Sequence, residues 1–92
     1  MTRDIHVIVH GRVQGVGYRY AARAAALRLG IAGWVRNRAD GTVEAELRGT
    51  LTAVDAMLDW MATGPPGAGV ARLDISDAAA SAASGFDIRP SD

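Results

Sequence analysis

The apolar positions of this chain change period from one stretch to the next, and each change marks an element. Ile5, Val7 and Val9 alternate with His6, Ile8 and His10, a period of two that predicts a strand with a β-branched face. The run Gly11 to Gly17 is polar and punctuated by glycine, so it predicts a loop. From Tyr18 to Leu29, Ala22, Ala25, Ala26 and Leu29 fall at helical spacing, and Gly30 supplies a left-handed stop. Ile31 to Arg38 predicts a second strand and Asp40-Gly41 a hairpin turn. Thr42 to Arg48 then predicts a third strand, with Val43, Ala45 and Leu47 on one face. Thr52 is expected to cap a second helix, with Asp55 three residues on completing a capping box. Val54, Met57, Leu58 and Met61 make one apolar stripe along that helix, and Gly64-Pro65-Pro66 ends it. Val70 to Ile75 predicts a fourth strand and Ala78 to Gly85 an irregular connection of small residues. Phe86 and Ile88 alternate in a short last strand that stops at Pro90.

The order is β-α-β-β-α-β plus a terminal strand. It predicts an α/β (α+β) fold of the ferredoxin-like sandwich type, an antiparallel sheet with two helices on one face. The 92 residues are expected to form one domain, 1–92, with a modest core and a shallow site for a small ligand. Lys plus Arg equals Asp plus Glu at 10 each, which argues against a nucleic-acid partner but leaves room for a local cationic pocket. The absence of cysteine excludes disulfides, thiolate nucleophiles and cysteine metal sites. Two histidines, His6 and His10, make no zinc site alone, and the N-terminal sequence is neither a signal peptide nor a membrane span. A cytoplasmic monomer that uses no metal and no cofactor is the expectation.

The informative loop is Gly11-Arg12-Val13-Gln14-Gly15-Val16-Gly17-Tyr18-Arg19, which joins a strand to a helix N-terminus. There the amides of the first turn lack intrahelical partners and the helix dipole adds positive charge. Gly15 and Gly17 can adopt positive φ, so the amides of Gly15, Val16, Gly17, Tyr18 and Arg19 can converge on an anion. Arg19 adds a guanidinium fork matched to phosphate oxygens. The spacing is neither a Walker A loop nor a dinucleotide fingerprint. A plain turn with a surface arginine would look similar, and Arg12 in the same loop is a second candidate for the phosphate. Gln14 reads as solvent-facing. His10 reads as an exposed strand residue with no evident acid–base partner.

The second segment is Gly33-Trp34-Val35-Arg36-Asn37-Arg38-Ala39-Asp40-Gly41-Thr42-Val43-Glu44. Asn37 ends a strand just before the hairpin, a place where Asn is common merely as a turn former. Taken together, GRVQGVGYR and GWVRNRADGTVE resemble the motifs of the acylphosphatase family. Gly49, Trp60, Gly64-Pro65 and Gly85-Phe86-Asp87-Ile88-Arg89 also stand where that family has such residues. The family more often has Phe at the position of Tyr18, and the connection after the second helix is glycine-rich here. The resemblance implies the same ferredoxin-like fold and the hydrolysis of acyl phosphates, with Arg19 binding the substrate phosphate and Asn37 positioning the attacking water.

Such chemistry needs few groups. The leaving carboxylate has a conjugate acid of pKa about 4 and departs without a general acid. Phosphoryl transfer through a loose transition state asks mainly for positioning and charge stabilisation. Counted back from Arg19, the loop also looks like the Cys-x5-Arg cradle of protein tyrosine phosphatases, but Val13 stands at the place of the nucleophile. Among rival readings, RNA recognition would need aromatic residues on the central strands, and IHVIVH and TVEAELR have none. A carbamoyl-phosphate-handling domain of a larger enzyme is disfavoured by a chain that ends at Asp92. A non-catalytic regulatory domain is disfavoured by the presence of both Arg19 and Asn37. The acyl pocket has little chain to build it, so weak acyl selectivity is expected.

Overall fold

A computed structural model of the chain describes residues 1–80 and 84–92. The elements are β1 (Thr2–Arg12), α1 (Tyr18–Leu29), β2 (Ala32–Asn37), β3 (Val43–Thr50), α2 (Leu51–Thr63), β4 (Gly69–Asp77) and β5 (Phe86–Ile88). Residues 81–83 of the predicted Ala78–Gly85 connection lie outside the described residues.

The strands form one sheet in the order β4-β1-β3-β2-β5. β1 pairs antiparallel with both β3 and β4, and β2 pairs antiparallel with β3. β1 and β2 therefore run the same way with β3 between them, and α1 is the crossover; α2 does the same for β3 and β4. This is the split βαβ arrangement that the element order predicts. The terminal strand departs from the expected antiparallel sheet, because β5 lies parallel to β2. Its chain arrives from the far side of the sheet, so it enters β2's outer edge in β2's own direction.

Alternation decides what is buried. Ile5, Val7, Val9, Val35, Val43, Ala45 and Leu47 turn to the helix face and are fully enclosed. Ala22, Ala25 and Ala26 of α1 and Val54, Met57 and Met61 of α2 close over them. The small alanines of α1 and the flexible methionines of α2 fill the space between helices and sheet. The α2 cap differs from the expected one. Thr50, the last residue of β3, is the N-cap, and its Oγ1 accepts from the Ala53 N–H at 3.1 Å. The strand runs straight into the helix with no intervening loop, so the capping hydroxyl comes two residues before Thr52. Asp55 faces Arg3 at 3.8 Å instead of completing a box.

Candidate active site

β1 and β2 run in the same direction, so the C-terminal end of β2 and the start of α1 lie at one end of the sandwich. The loop into α1 and Asn37 are thereby brought to the same end, from positions separated in sequence by a whole helix and strand. β1 continues to Arg12, two residues into the predicted loop, with a bulge between His10 and Gly11. The main chain of Arg12 is paired with Gly69 of β4 and the residue is exposed, so Arg12 ends the strand and does not begin the loop. Gly11 has φ +125°, and a Cβ there would overlap the main chain of Gly69; the bulge needs glycine to let β1 and β4 pass.

Gly15 and Gly17 have φ +75° and +77°, the left-handed values expected of them. Gly17 is the N-cap of α1, and no side chain hydrogen-bonds to that helix end; its first turn holds no acidic residue. The first intrahelical bond is Ala21 N–H to Gly17 O at 3.0 Å. The amides of Tyr18, Arg19 and Tyr20 thus precede it and keep their donors for something other than the helix. Val16 packs against the core at one side of the turn. Arg19 is half-buried, and its guanidinium carbon lies 5.9 Å from the Tyr20 ring centroid. No carboxylate among the described residues pairs with it, so its charge is not consumed within the fold.

Asn37 is the last residue of β2 and half-buried. Its Oδ1 is buried and has no hydrogen-bond partner among the described residues. A buried carbonyl oxygen left unbonded costs about 1–3 kcal/mol. The hairpin after Asn37 is held rigidly. Arg38 N–H donates to Thr42 O at 2.9 Å and Gly41 N–H to Arg38 O at 3.1 Å. Asp40 Oδ1 accepts from the Thr42 hydroxyl at 2.6 Å and its N–H at 3.0 Å. Those two bonds hold the Asp40 carboxyl below its ordinary pKa, the hydroxyl contributing more than the amide.

Three contacts at this end were not legible in the sequence. Gln14 is not solvent-facing: its Nε2 donates to Arg38 O at 2.8 Å and Thr42 O at 2.9 Å. One side chain therefore ties the cradle loop to the hairpin that carries Asn37. Tyr18 is buried with its ring 5.5 Å from that of Trp60, and its hydroxyl donates to Met61 O at 2.8 Å. That oxygen is one of the last carbonyls of α2, which have no helical donor. Burial pushes the Tyr18 hydroxyl pKa far above its ordinary value. The phenol is thus a donor that anchors the start of α1, and Tyr18 can meet a ligand only through its main chain. Tyr18→Phe is expected to leave Met61 O unbonded, cost about 1 kcal/mol or more and lower Tm by roughly 4–8 °C with kcat unchanged. Thermal melting beside an activity assay checks it; an unaltered Tm would show that the bond carries no stability.

The third contact is on the other face of the sheet. His10 does have a carboxylate partner, Asp74 of β4, at 2.8 Å from its Nε2. Nearby, Glu44 lies 2.6 Å from His6 Nε2 and accepts from Arg36 Nε at 2.7 Å. Burial pushes the Glu44 pKa up, but the bonds from His6 and Arg36 outweigh it and the net shift is downward. Both histidines alternate with Val7 and Val9, so they face away from the helices and from the cradle. Their pairing belongs to the sheet's open face. No group of three or more metal-ligating side chains occurs among the described residues. None of the described helices is long and apolar enough to cross a membrane.

Fold and loop define a class: a ferredoxin-like α+β sandwich whose first crossover turns through left-handed glycines into an uncapped helix. The family model for Acylphosphatase matches residues 5–88. An acylphosphatase of Cupriavidus pinatubonensis is 52% identical over 85 residues, covering 92% of this chain and 93% of that protein. The structure of an acylphosphatase from Coxiella burnetii superposes with a TM-score of 0.92 at 34% identity, covering 96% of this chain and 93% of that one. The acylphosphatase from Bacillus subtilis gives 0.91 at 33%, covering 97% and 99%. The chain belongs to the acylphosphatase family and is a hydrolase of that kind.

Proposed function

We propose that the protein hydrolyses the carboxyl–phosphate bond of acyl phosphates to a carboxylate and inorganic phosphate. In this reading the amides of Gly15, Val16, Gly17, Tyr18 and Arg19 and the Arg19 guanidinium hold the phosphate, and Asn37 holds the water. The observation that carries it is the start of α1, uncapped by any side chain and approached through left-handed Gly15 and Gly17, at the end of the sheet where Asn37 also lies.

The steps follow from the groups present. The phosphate's oxygens accept from the amides and from the guanidinium fork, which neutralise charge on the equatorial oxygens as the bond loosens. The Asn37 side-chain amide hydrogen-bonds the water and orients its oxygen toward phosphorus. The P–O bond to the acyl group breaks and its electron pair leaves with the carboxylate, which needs no proton at neutral pH. The water's oxygen forms the new bond to phosphorus. Asn is no base, so the proton the water loses passes to a phosphate oxygen. No cysteine, serine–histidine pair or metal enters this route.

The test is phosphate release from acetyl phosphate and benzoyl phosphate, with and without EDTA. Turnover of both substrates, unchanged by the chelator, is the expected result. Loss of activity in EDTA with recovery on adding a divalent ion would sink the route above.

A further inference from the structure

The segment after β5 does not leave the sheet where the strand ends. β5 pairs with β2 through Gly33–Phe86, Trp34–Asp87 and Val35–Ile88. Beyond Ile88 the chain keeps to the outer edge of β2. Arg89 N–H donates to Val35 O at 2.9 Å, and Asp92 N–H donates to Asn37 O at 3.0 Å. In an unbroken parallel ladder the next donor after Arg89 would be residue 91. Here it is one residue later, after Pro90, which has no N–H to give.

Gly33 N–H also bonds to this side, to Gly85 O at 3.0 Å. The odd-numbered residues of β2 therefore present their main-chain groups to the β5 edge. The bonds to β3 come from their neighbours; Arg38 N–H, for one, goes to Thr42 O. Asn37's carbonyl is thus held from the tail side.

One side-chain contact holds the tail there. The Arg89 guanidinium lies 4.5 Å over the Trp34 ring, and the indole N–H donates to Glu46 Oε2 at 2.7 Å. The Arg36 guanidinium is 5.4 Å from the same ring and is bonded to Glu44. The Asp92 carboxylate adds to the negative field that Glu44 sets around Arg36.

We propose that residues Arg89 to Asp92 form a main-chain clamp on Asn37, and that Asp92 acts through its N–H as a positioning residue for the hydrolytic water. The inference rests on the reading of Asn37 given above. A strand end held on one edge alone frays, and the side chain it carries then swings with it. The clamp restricts that motion at the one residue whose amide must aim a water within hydrogen-bond tolerance of phosphorus. It does not touch the cradle loop.

Asp92→Pro removes the N–H donor while keeping the length of the chain. Asp92→Ala keeps the donor and removes only the carboxylate. With acetyl phosphate as substrate and inorganic phosphate as inhibitor, Asp92→Pro is expected to lower kcat about three- to tenfold, the range for one neutral hydrogen bond. KM and the phosphate inhibition constant should stay within about twofold, and Asp92→Ala should recover kcat to within about twofold of the parent. In an Asn37→Ala background Asp92→Pro should lower kcat no further, because the group it positions is gone. A parent-like kcat in Asp92→Pro overturns the clamp. So does a fall in Asp92→Ala as large as in Asp92→Pro, or an undiminished effect in the Asn37→Ala background. Asn37→Ala is read on its own in the same series. A parent-like rate there overturns the water-positioning reading itself, and is thereby told apart from failure of the clamp alone.

Discussion

Arg19→Ala is expected to lower kcat/KM for acyl phosphates by about a thousandfold, the lower end of what an arginine contributes to a phosphoryl transition state. The residue sits in the first turn of α1, half-buried, with no carboxylate partner among the described residues and only the Tyr20 ring beside its guanidinium. Its removal deletes the Arg19 guanidinium from the cradle and leaves the amides to meet a phosphate. Inhibition by inorganic phosphate should weaken with it, since ground state and transition state share those oxygens. Arg19→Lys restores the charge but not the planar fork, so it should recover little. The fold should survive both changes, because the Arg19 side chain makes no hydrogen bond or ion pair among the described residues. Near-normal kinetics in Arg19→Ala would move the phosphate role elsewhere. Arg12, at the end of β1 beside the same loop, is then the next candidate.

Asn37→Ala is expected to lower kcat by about two orders of magnitude, as when one preorganised transition-state contact is lost. The phosphate inhibition constant should hardly change, because the cradle lies on a different segment. Stability makes the contrast sharper. Asn37 Oδ1 is buried without a partner, so deleting it removes an unsatisfied group and should leave Tm equal or raised. A residue serving only the turn would behave the other way, losing Tm and keeping its rate per folded molecule. Asn37→Asp keeps the shape but sets a negative charge toward both the water and the phosphate, and should be no better than alanine. Parent-like activity in Asn37→Asp would mean that a carboxylate base is acceptable there, and proton transfer to the phosphate would lose its support. Measuring kcat, phosphate inhibition and Tm on one preparation separates these outcomes.

Much of this molecule is written locally. Ile5, Val7 and Val9 alternate, and a period-two apolar face has to be buried on one side of a sheet. Ala22, Ala25 and Ala26, like Val54, Met57 and Met61, repeat at the helical period and have to face it. Element order then leaves few topologies, and the split βαβ arrangement is among them. Gly15 and Gly17 signal left-handed backbone because other residues are strained there. The pairing of Arg19 and Asn37 was legible only through the resemblance of two whole motifs, since neither residue alone distinguishes a site from a turn.

What tertiary structure decided concerns partners that come from far along the chain. The Gln14 amide finds Arg38 O and Thr42 O, and the Tyr18 hydroxyl finds Met61 O. His10 finds Asp74, and Asp92 reaches the carbonyl of Asn37. Each joins a side chain or amide to main chain or carboxylate on another element, and no periodicity encodes which carbonyl will be in reach. The shift of the α2 cap from Thr52 to Thr50 has the same origin. Both threonines can cap; the end of the β3 ladder, set by its pairing with β1 out to Thr2–Thr50, decides where the helix begins. The direction of β5 likewise depends on the edge of the sheet that remains open once the other strands have paired. Local sequence specifies which face each element buries. Hydrogen-bond satisfaction at the ends of those elements is settled only when packing brings the remaining donors and acceptors within reach.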